Sequence, residues 1–142
     1  MGMSLKPCTV FTTGKESFEI ADDEVEIGLG IHGEPGTHRE KMTTANEFTE
    51  KLFEKVYAES NVQKGDRFAV LVNGLGETTL IELFIINNHL QDLLKAKGVE
   101  VAKTLVGNYM TSLDMGGFSI TLLKLDKEME ELLNAEEDTI AF

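Results

Sequence analysis

The sequence predicts an α/β fold, layered in the α+β manner, in which helices pack on a mixed β-sheet. Two capping boxes, at Thr44 and Thr79, are each followed by apolar residues at helical spacing. Strand-like segments precede, separate and follow these helices, which gives the order β-β-α-β-α-β-β-α. A length of 142 residues with 42% hydrophobic and 27% charged residues indicates one globular domain over residues 1–142.

Two strand-like segments precede the first helix. Residues 4–11 are strand-like and lead into a Thr-Thr-Gly-Lys turn. In residues 24–31 apolar residues alternate with polar or small ones, so the apolar side chains share one face of a strand. These apolar residues are Val25, Ile27, Leu29 and Ile31. Residues 32–36 (HGEPG) are rich in glycine and proline, which predicts a loop at the end of that strand.

The two long helices alternate with further strands. We expect helices over residues 44–60 and 79–98, the second ending at a glycine that is a natural stop. Between them, residues 67–73 (RFAVLVN) form an almost continuous apolar run, which predicts a strand buried on both faces. Strands at residues 99–106 and 118–125 follow, and then a short acidic helix. This pattern leaves open whether the helices cover one face of the sheet or both.

The charge excludes whole classes of partner. Asp and Glu number 25 and Lys and Arg 13, so the net charge is −12. Nucleic acids and anionic membrane surfaces both need a basic patch, and we therefore expect neither as a partner. No apolar run approaches the roughly 20 residues of a membrane helix, and the N-terminus lacks a signal-peptide pattern. A single cysteine fits a reducing compartment, so we expect a cytoplasmic protein.

His32 is the most suggestive single residue for chemistry. It follows a glycine-spaced strand end, where ligands often bind in α/β sheets. A neutral imidazole can act there as nucleophile or base, and the alternative is a loop histidine with one structural hydrogen bond. Residues 28–33 also match G-x-G-x-x-G, but no helix begins before residue 44, which argues against a dinucleotide site.

Two further chemistries have less support in the sequence. A metal site would use His32 and His38 with Glu34 or Glu40, but this spacing fits no dedicated site. Cys8 as a nucleophile lacks a defined partner. We therefore expect no metal on this chain.

Three motifs in order resemble those of dihydroxyacetone kinases. They are residues 28–36 (GLGIHGEPG), 71–76 (LVNGLG) and 107–123 (GNYMTSLDMGGFSITLL). Taken alone, the loops at residues 73–76 and 107–112 are turns, but in a mixed sheet such loops can converge with His32 on one crevice. The resemblance is to the C-terminal domain of the dihydroxyacetone-binding subunit, and it covers essentially the whole chain.

The resemblance implies a substrate and a covalent mode of binding. In that family the histidine of the I-H-G-E-P-G loop adds through a ring nitrogen to the ketone carbonyl and gives a hemiaminal. The matching residue here is His32, with Gly30 and Gly33 as substrate-binding neighbours. Imidazole adds to a carbonyl but not to glycerol, which has none, so bond formation selects the ketone. The implied activity is a phosphotransferase, dihydroxyacetone (glycerone) kinase, which makes dihydroxyacetone phosphate.

The resemblance also implies partners. The phosphate donor, either ATP or a phosphorylated nucleotide-carrying subunit, would be held elsewhere, and we expect no cofactor on this chain, which has no P-loop. The family's upstream α/β domain, which supplies acid–base residues, is absent here, so we expect the isolated chain to be inactive. A homodimer is implied as well. The alternative is a paralogue that senses dihydroxyacetone without catalysis, as a coactivator of a transcription regulator.

Two residues depart from the family's pattern. Glu77 stands where a small residue is usual, and Thr79 replaces a common proline at the start of the second helix. Both lie near the loop at Asn73, and the local geometry of that loop is where we expect a difference.

Overall fold

A computed structural model describes residues 1–30 and 34–140 of the chain. Its strands are β1 (Gly2–Lys6), β2 (Thr9–Val10), β3 (Lys15–Glu16), β4 (Glu24–Ile27), β5 (His38–Lys41), β6 (Arg67–Gly74), β7 (Glu100–Gly107) and β8 (Gly116–Leu125). Its helices are α1 (Ala45–Glu59), α2 (Leu80–Lys97) and α3 (Lys127–Leu133). In these ranges no helix has the length and apolarity that crossing a membrane requires.

Six of the strands form one mixed sheet, in the order β5-β4-β1-β8-β6-β7. The pair β6–β7 is parallel, and α2 makes the crossover between them. The other neighbouring pairs are antiparallel, and β2 and β3 form a separate two-stranded hairpin. The predicted class, a mixed sheet with helices packed on it, is confirmed.

Helices α1 and α2 pack on one face of the sheet. Strand side chains alternate between the two faces, so every second cross-strand pair of β1, β4, β6 and β8 lies beneath the helices, and these residues form one apolar layer. The buried residues of this core include Met3, Val25, Ile27, Phe48, Leu52, Phe53, Phe68, Val70, Val72, Leu83, Ile86, Leu90, Leu94, Phe118 and Ile120. The opposite face is covered at one end by α3, where Glu130 on the helix pairs with Arg67 at 2.6 Å.

Both predicted helix starts are confirmed at the level of individual hydrogen bonds. The Glu47 carboxylate accepts the backbone N–H of Thr44 at 3.1 Å, and the Thr44 hydroxyl accepts the Glu47 N–H at 3.3 Å. At α2 the Glu82 carboxylate accepts the Thr79 N–H at 2.8 Å, so Thr79 supplies an N-cap where the family pattern has proline. Gly98 ends α2 in the left-handed conformation, with φ of 71°.

Three sequence expectations need correction. The strand-like segment at residues 4–11 divides at Pro7 into β1 and β2, because proline has no N–H for the ladder. The strand expected at residues 24–31 ends at Ile27, since Gly28 turns the backbone with φ of 83°; Ile31 lies outside the described residues. The prediction that residues 67–73 are buried on both faces is wrong, because the two long helices cover one face and leave Leu71 half-buried on the other.

Candidate functional site

The face of the sheet opposite α1 and α2 carries a cavity of about 640 Å³. Its floor includes Leu71 and Asn73 on β6 with their cross-strand partners Thr121 and Ser119 on β8. A cavity of this size lies in the range that holds small-molecule ligands, and its wall is mostly neutral. This open face is therefore the candidate binding site.

Asn73 joins the two polar loops that the sequence places at strand ends. Its side chain is 2% exposed, and its Oδ1 accepts the backbone N–H groups of Tyr109 and Met110, both at 2.9 Å. Its Nδ2 donates to the Met110 carbonyl at 2.8 Å. One buried amide thus makes three hydrogen bonds to the 107–112 loop, and the expected convergence of these two loops is present in the structure.

The segment after Asn73 is fixed to β1 and β8 by side chains. The Glu77 Oε1 lies 2.7 Å from the Lys6 Nζ, and this contact raises the pKa of the Lys6 ammonium above its ordinary value. The Thr78 hydroxyl donates to the carbonyl of Gly117 and accepts its N–H, each at 2.8 Å. Glu77, which departs from the family's pattern, therefore ties this segment to β1 through an exposed ion pair.

The described ends of the loop around His32 reach the same cavity. Gly30 and Pro35, which flank His32 in the sequence, both line the cavity wall. The Gly30 N–H donates to the Glu34 carbonyl at 3.1 Å, and a Cβ at Gly30 would collide with the Glu34 side chain. His32 and Gly33 lie outside the described residues, so the substrate-binding roles of His32, Gly30 and Gly33 stay predictions.

A charged pair in the cavity wall is a feature that sequence reasoning missed. Glu26 on β4 is buried, and its Oε1 accepts the Gly36 N–H at 2.6 Å. Its Oε2 lies 3.3 Å from the Nη2 of Arg39 on β5. The sequence signal was a glutamate between Val25 and Ile27, which the alternation assigns to an outward position. The sequence alone did not show that β5 and the loop cover that outward face.

The described residues of the alternative chemistries are divided between two cavities. His38 borders a second cavity of about 390 Å³ between β5 and α1, where its Nδ1 lies 3.0 Å from the Thr37 hydroxyl. Across residues 1–30 and 34–140, no three His, Cys, Asp or Glu side chains come together in a way that could hold a metal. Cys8 is half-buried and lines the main cavity.

Comparison with known proteins places the chain in a family. The model of the Dak1 domain matches residues 1–141. The PTS-dependent dihydroxyacetone kinase 1, dihydroxyacetone-binding subunit DhaK, of Listeria innocua is 48% identical over 143 residues, which is 100% of this chain and 44% of that subunit. The chain thus spans less than half the length of this relative, and its placement in the C-terminal part stays a prediction.

Solved structures share the fold. The dihydroxyacetone kinase operon co-activator Dha-DhaQ superposes with a TM-score of 0.86 at 39% identity, over 94% of this chain and 42% of that one. The dihydroxyacetone kinase from C. freundii, in complex with AMP-PNP and Mg2+, superposes with a TM-score of 0.75 at 29% identity, over 95% of this chain and 25% of that one. The match to the family model over nearly all of its residues shows that this chain belongs to the Dak1 domain family.

Proposed function

We propose that this chain is the dihydroxyacetone-binding part of a dihydroxyacetone kinase and holds the ketone covalently on His32. The observation that carries the proposal is the cavity on the open face of the sheet. Gly30 and Pro35, on either side of the His32 segment, line it together with Asn73. The family and the names of the relatives support the choice of ligand.

The covalent step balances without an outside reagent. The unprotonated ring nitrogen of His32 forms a bond to the carbonyl carbon, and the π electron pair of the carbonyl moves to its oxygen. That oxygen takes up a proton while the other ring nitrogen releases one, so the hemiaminal is neutral. Both hydroxymethyl groups survive, and one of them is then available as the phosphoryl acceptor. Glycerol has no carbonyl and cannot form this bond.

In this proposal, the phosphate donor and the acid–base residues belong to other parts of the protein or to partner subunits. The donor is ATP or a phosphorylated nucleotide-carrying subunit, and this chain binds no cofactor itself. An upstream domain supplies the acid–base residues that activate the hydroxyl, and the complete protein is a cytoplasmic homodimer. The cavity of about 640 Å³ is far larger than a three-carbon ketone, which is consistent with a further segment that closes over the substrate.

A second candidate function is a dihydroxyacetone-sensing coactivator of a transcription regulator, without catalysis. The similarity to the co-activator Dha-DhaQ favours it specifically. Both functions use the same ketone site, so the two are separated by phosphoryl transfer and not by ligand binding. A native protein that binds dihydroxyacetone but never yields its phosphate, with every donor class supplied, is the coactivator.

The test uses the native polypeptide that contains this sequence, isolated from its source cells with an antibody to this domain. A mass more than twice that of 142 residues supports the larger subunit that the proposal requires. Phosphoryl transfer to dihydroxyacetone is then measured for wild type, His32→Ala and the control His89→Gln. His89 lies on α2, where it pairs with Glu50 of α1 at 2.8 Å in the helical layer. We expect activity to be lost in His32→Ala alone, whereas unchanged affinity and rate in that variant contradict the proposal.

A further inference from the structure

We propose that Glu26 is a positioning residue that holds the loop bearing His32 in the geometry needed for addition to the ketone. The inference rests on the proposed function and deepens it, because it assigns a residue that sets the efficiency of the covalent step. Glu26 acts through the loop backbone and not on the substrate.

Three separate parts of the hairpin meet at this one carboxylate. Glu26 lies in the middle of β4 and is only 6% exposed. Its Oε1 accepts the N–H of Gly36, a residue near the end of the loop, at 2.6 Å. Arg39, its cross-strand partner on β5, approaches Oε2 at 3.3 Å. The carboxylate therefore links β4, β5 and the end of the loop at Gly36.

The loop backbone packs directly against the same side chain. A Cβ at Gly36 would lie 2.5 Å from the Glu26 Cγ and 2.6 Å from the Ile27 carbonyl oxygen, so glycine is required there. The bond from the Thr37 N–H to the Ile27 carbonyl, at 2.7 Å, closes the base of the loop. A second bond, from the Gly28 N–H to the Gly2 carbonyl at 2.7 Å, ties the start of the loop to β1. Glu26 adds a side-chain contact above this base.

The burial of Glu26 calls for a reason beyond closing a hairpin. Among the described residues its Oε2 has no hydrogen-bond partner, although Arg39 lies near it. A buried carboxylate whose bonding capacity is partly unmet costs stability. Such local inconsistencies concentrate at functional sites. Glu26 is also one of the residues that line the cavity bordered by Gly30 and Pro35.

Positioning matters for this reaction because a nucleophile must approach the carbonyl carbon at short range and in a fixed direction. A displacement of about 1 Å can cost on the order of 100-fold in such a step. The hydrogen bond from the Gly36 N–H to the Glu26 carboxylate limits that displacement of the loop. The hemiaminal needs the same close placement of the ring nitrogen as the approach to it, so a displaced loop weakens the adduct as well as slowing its formation. Glu26 thus acts on the covalent equilibrium through the Gly36 backbone.

The chain offers a matched control for this test. Glu24 lies on the same strand and also faces a cation on β5, with its Oε1 3.6 Å from the Lys41 Nζ. Glu24 is more exposed than Glu26 and does not line the cavity. Glu24→Gln therefore removes a cross-strand charge pair from the same β4–β5 ladder without touching the loop.

The experiment measures adduct formation with dihydroxyacetone labelled with ¹³C at its carbonyl, using the native polypeptide. The equilibrium constant comes from the ratio of the tetrahedral to the ketone carbon signal. We expect a fall of about 100-fold in Glu26→Ala and about tenfold in Glu26→Gln, whose amide oxygen still accepts the Gly36 N–H. We expect Glu24→Gln to stay within about twofold of wild type. A cooperative thermal unfolding transition in each variant shows that the variant is folded under the conditions of the experiment.

Each outcome separates the inference from the proposed function. Adduct formation at the wild-type level in folded Glu26→Gln and Glu26→Ala overturns the positioning role alone. An equal loss in Glu24→Gln also overturns it, because the effect then belongs to the strand pair in general. A wild-type protein that forms no adduct overturns the proposed function, and this inference with it. If Glu26→Ala does not fold, the comparison of Glu26→Gln with Glu24→Gln decides.

Discussion

Replacement of Asn73 by alanine removes the bridge between β6 and the 107–112 loop. The amide makes three hydrogen bonds to backbone groups of Tyr109 and Met110, at 2.8–2.9 Å. Each buried group left without a partner costs about 1–3 kcal/mol. The side chains of Tyr109 and Met110 are exposed, so water can reach part of this loop, and we expect a total loss of about 2–4 kcal/mol in the free energy of unfolding.

The assay is urea unfolding followed by circular dichroism, with two companion variants. We expect the midpoint of Asn73→Ala to fall by about 1–2 M with an unchanged slope. Asn73→Asp keeps both acceptor contacts but buries a carboxylate with one oxygen against the Met110 carbonyl oxygen, and we expect it to lose at least as much stability as Asn73→Ala. Asn88 is an exposed asparagine on α2, and its alanine variant should stay within about 0.5 kcal/mol of wild type. An Asn73→Ala midpoint equal to that of Asn88→Ala would mean that the Asn73 amide does not stabilise the 107–112 loop.

Two further predictions concern a glycine and an acid. Gly117→Ala should lower the free energy of unfolding by about 3 kcal/mol or more, because φ is 150° and the added methyl group would collide with the Met3 carbonyl oxygen. Gly65 has φ of 88° in open space, and Gly65→Ala should lower it by only about 1–2 kcal/mol. Thermal unfolding measures both variants. The Lys124 ammonium, 2.6 Å away, lowers the pKa of Asp66. The stability this provides is therefore present above the ordinary Asp pKa of about 4 and is lost as the pH falls through the lower folded value. Asp66→Asn should therefore reduce the difference between urea midpoints at pH 7 and pH 3, and an unchanged difference contradicts this.

The helices and the buried strands could be predicted because their signals are local. Thr44 and Thr79 each stand three residues before a glutamate, whose carboxylate accepts the threonine N–H whatever the rest of the fold does. Strand β5 was missed for the opposite reason. Its residues, HREK, are polar or charged because it is an edge strand, so it carries no apolar alternation to detect.

The sequence predicted which loops meet at the candidate site but not the charged pair in its wall. The loops after residues 73 and 107 end adjacent parallel strands, so their meeting follows from topology. The role of His32 came from resemblance, and it stays a prediction. The burial of Glu26 could not be identified from the sequence, because alternation assigns this residue to the outward face of β4. Only the folded chain shows that β5 and the loop cover that face. A local pattern cannot contain that long-range information.

The proposed function depends on a covalent adduct between His32 and dihydroxyacetone. The most direct test is the ¹³C spectrum of carbonyl-labelled dihydroxyacetone bound to the native polypeptide, for wild type and His32→Ala. We expect a tetrahedral carbon signal in wild type, its absence in His32→Ala and no displacement of the adduct by glycerol. A bound ligand whose carbonyl carbon keeps its ketone signal in wild type, or an adduct that persists in His32→Ala, would show that His32 does not bind the ketone covalently.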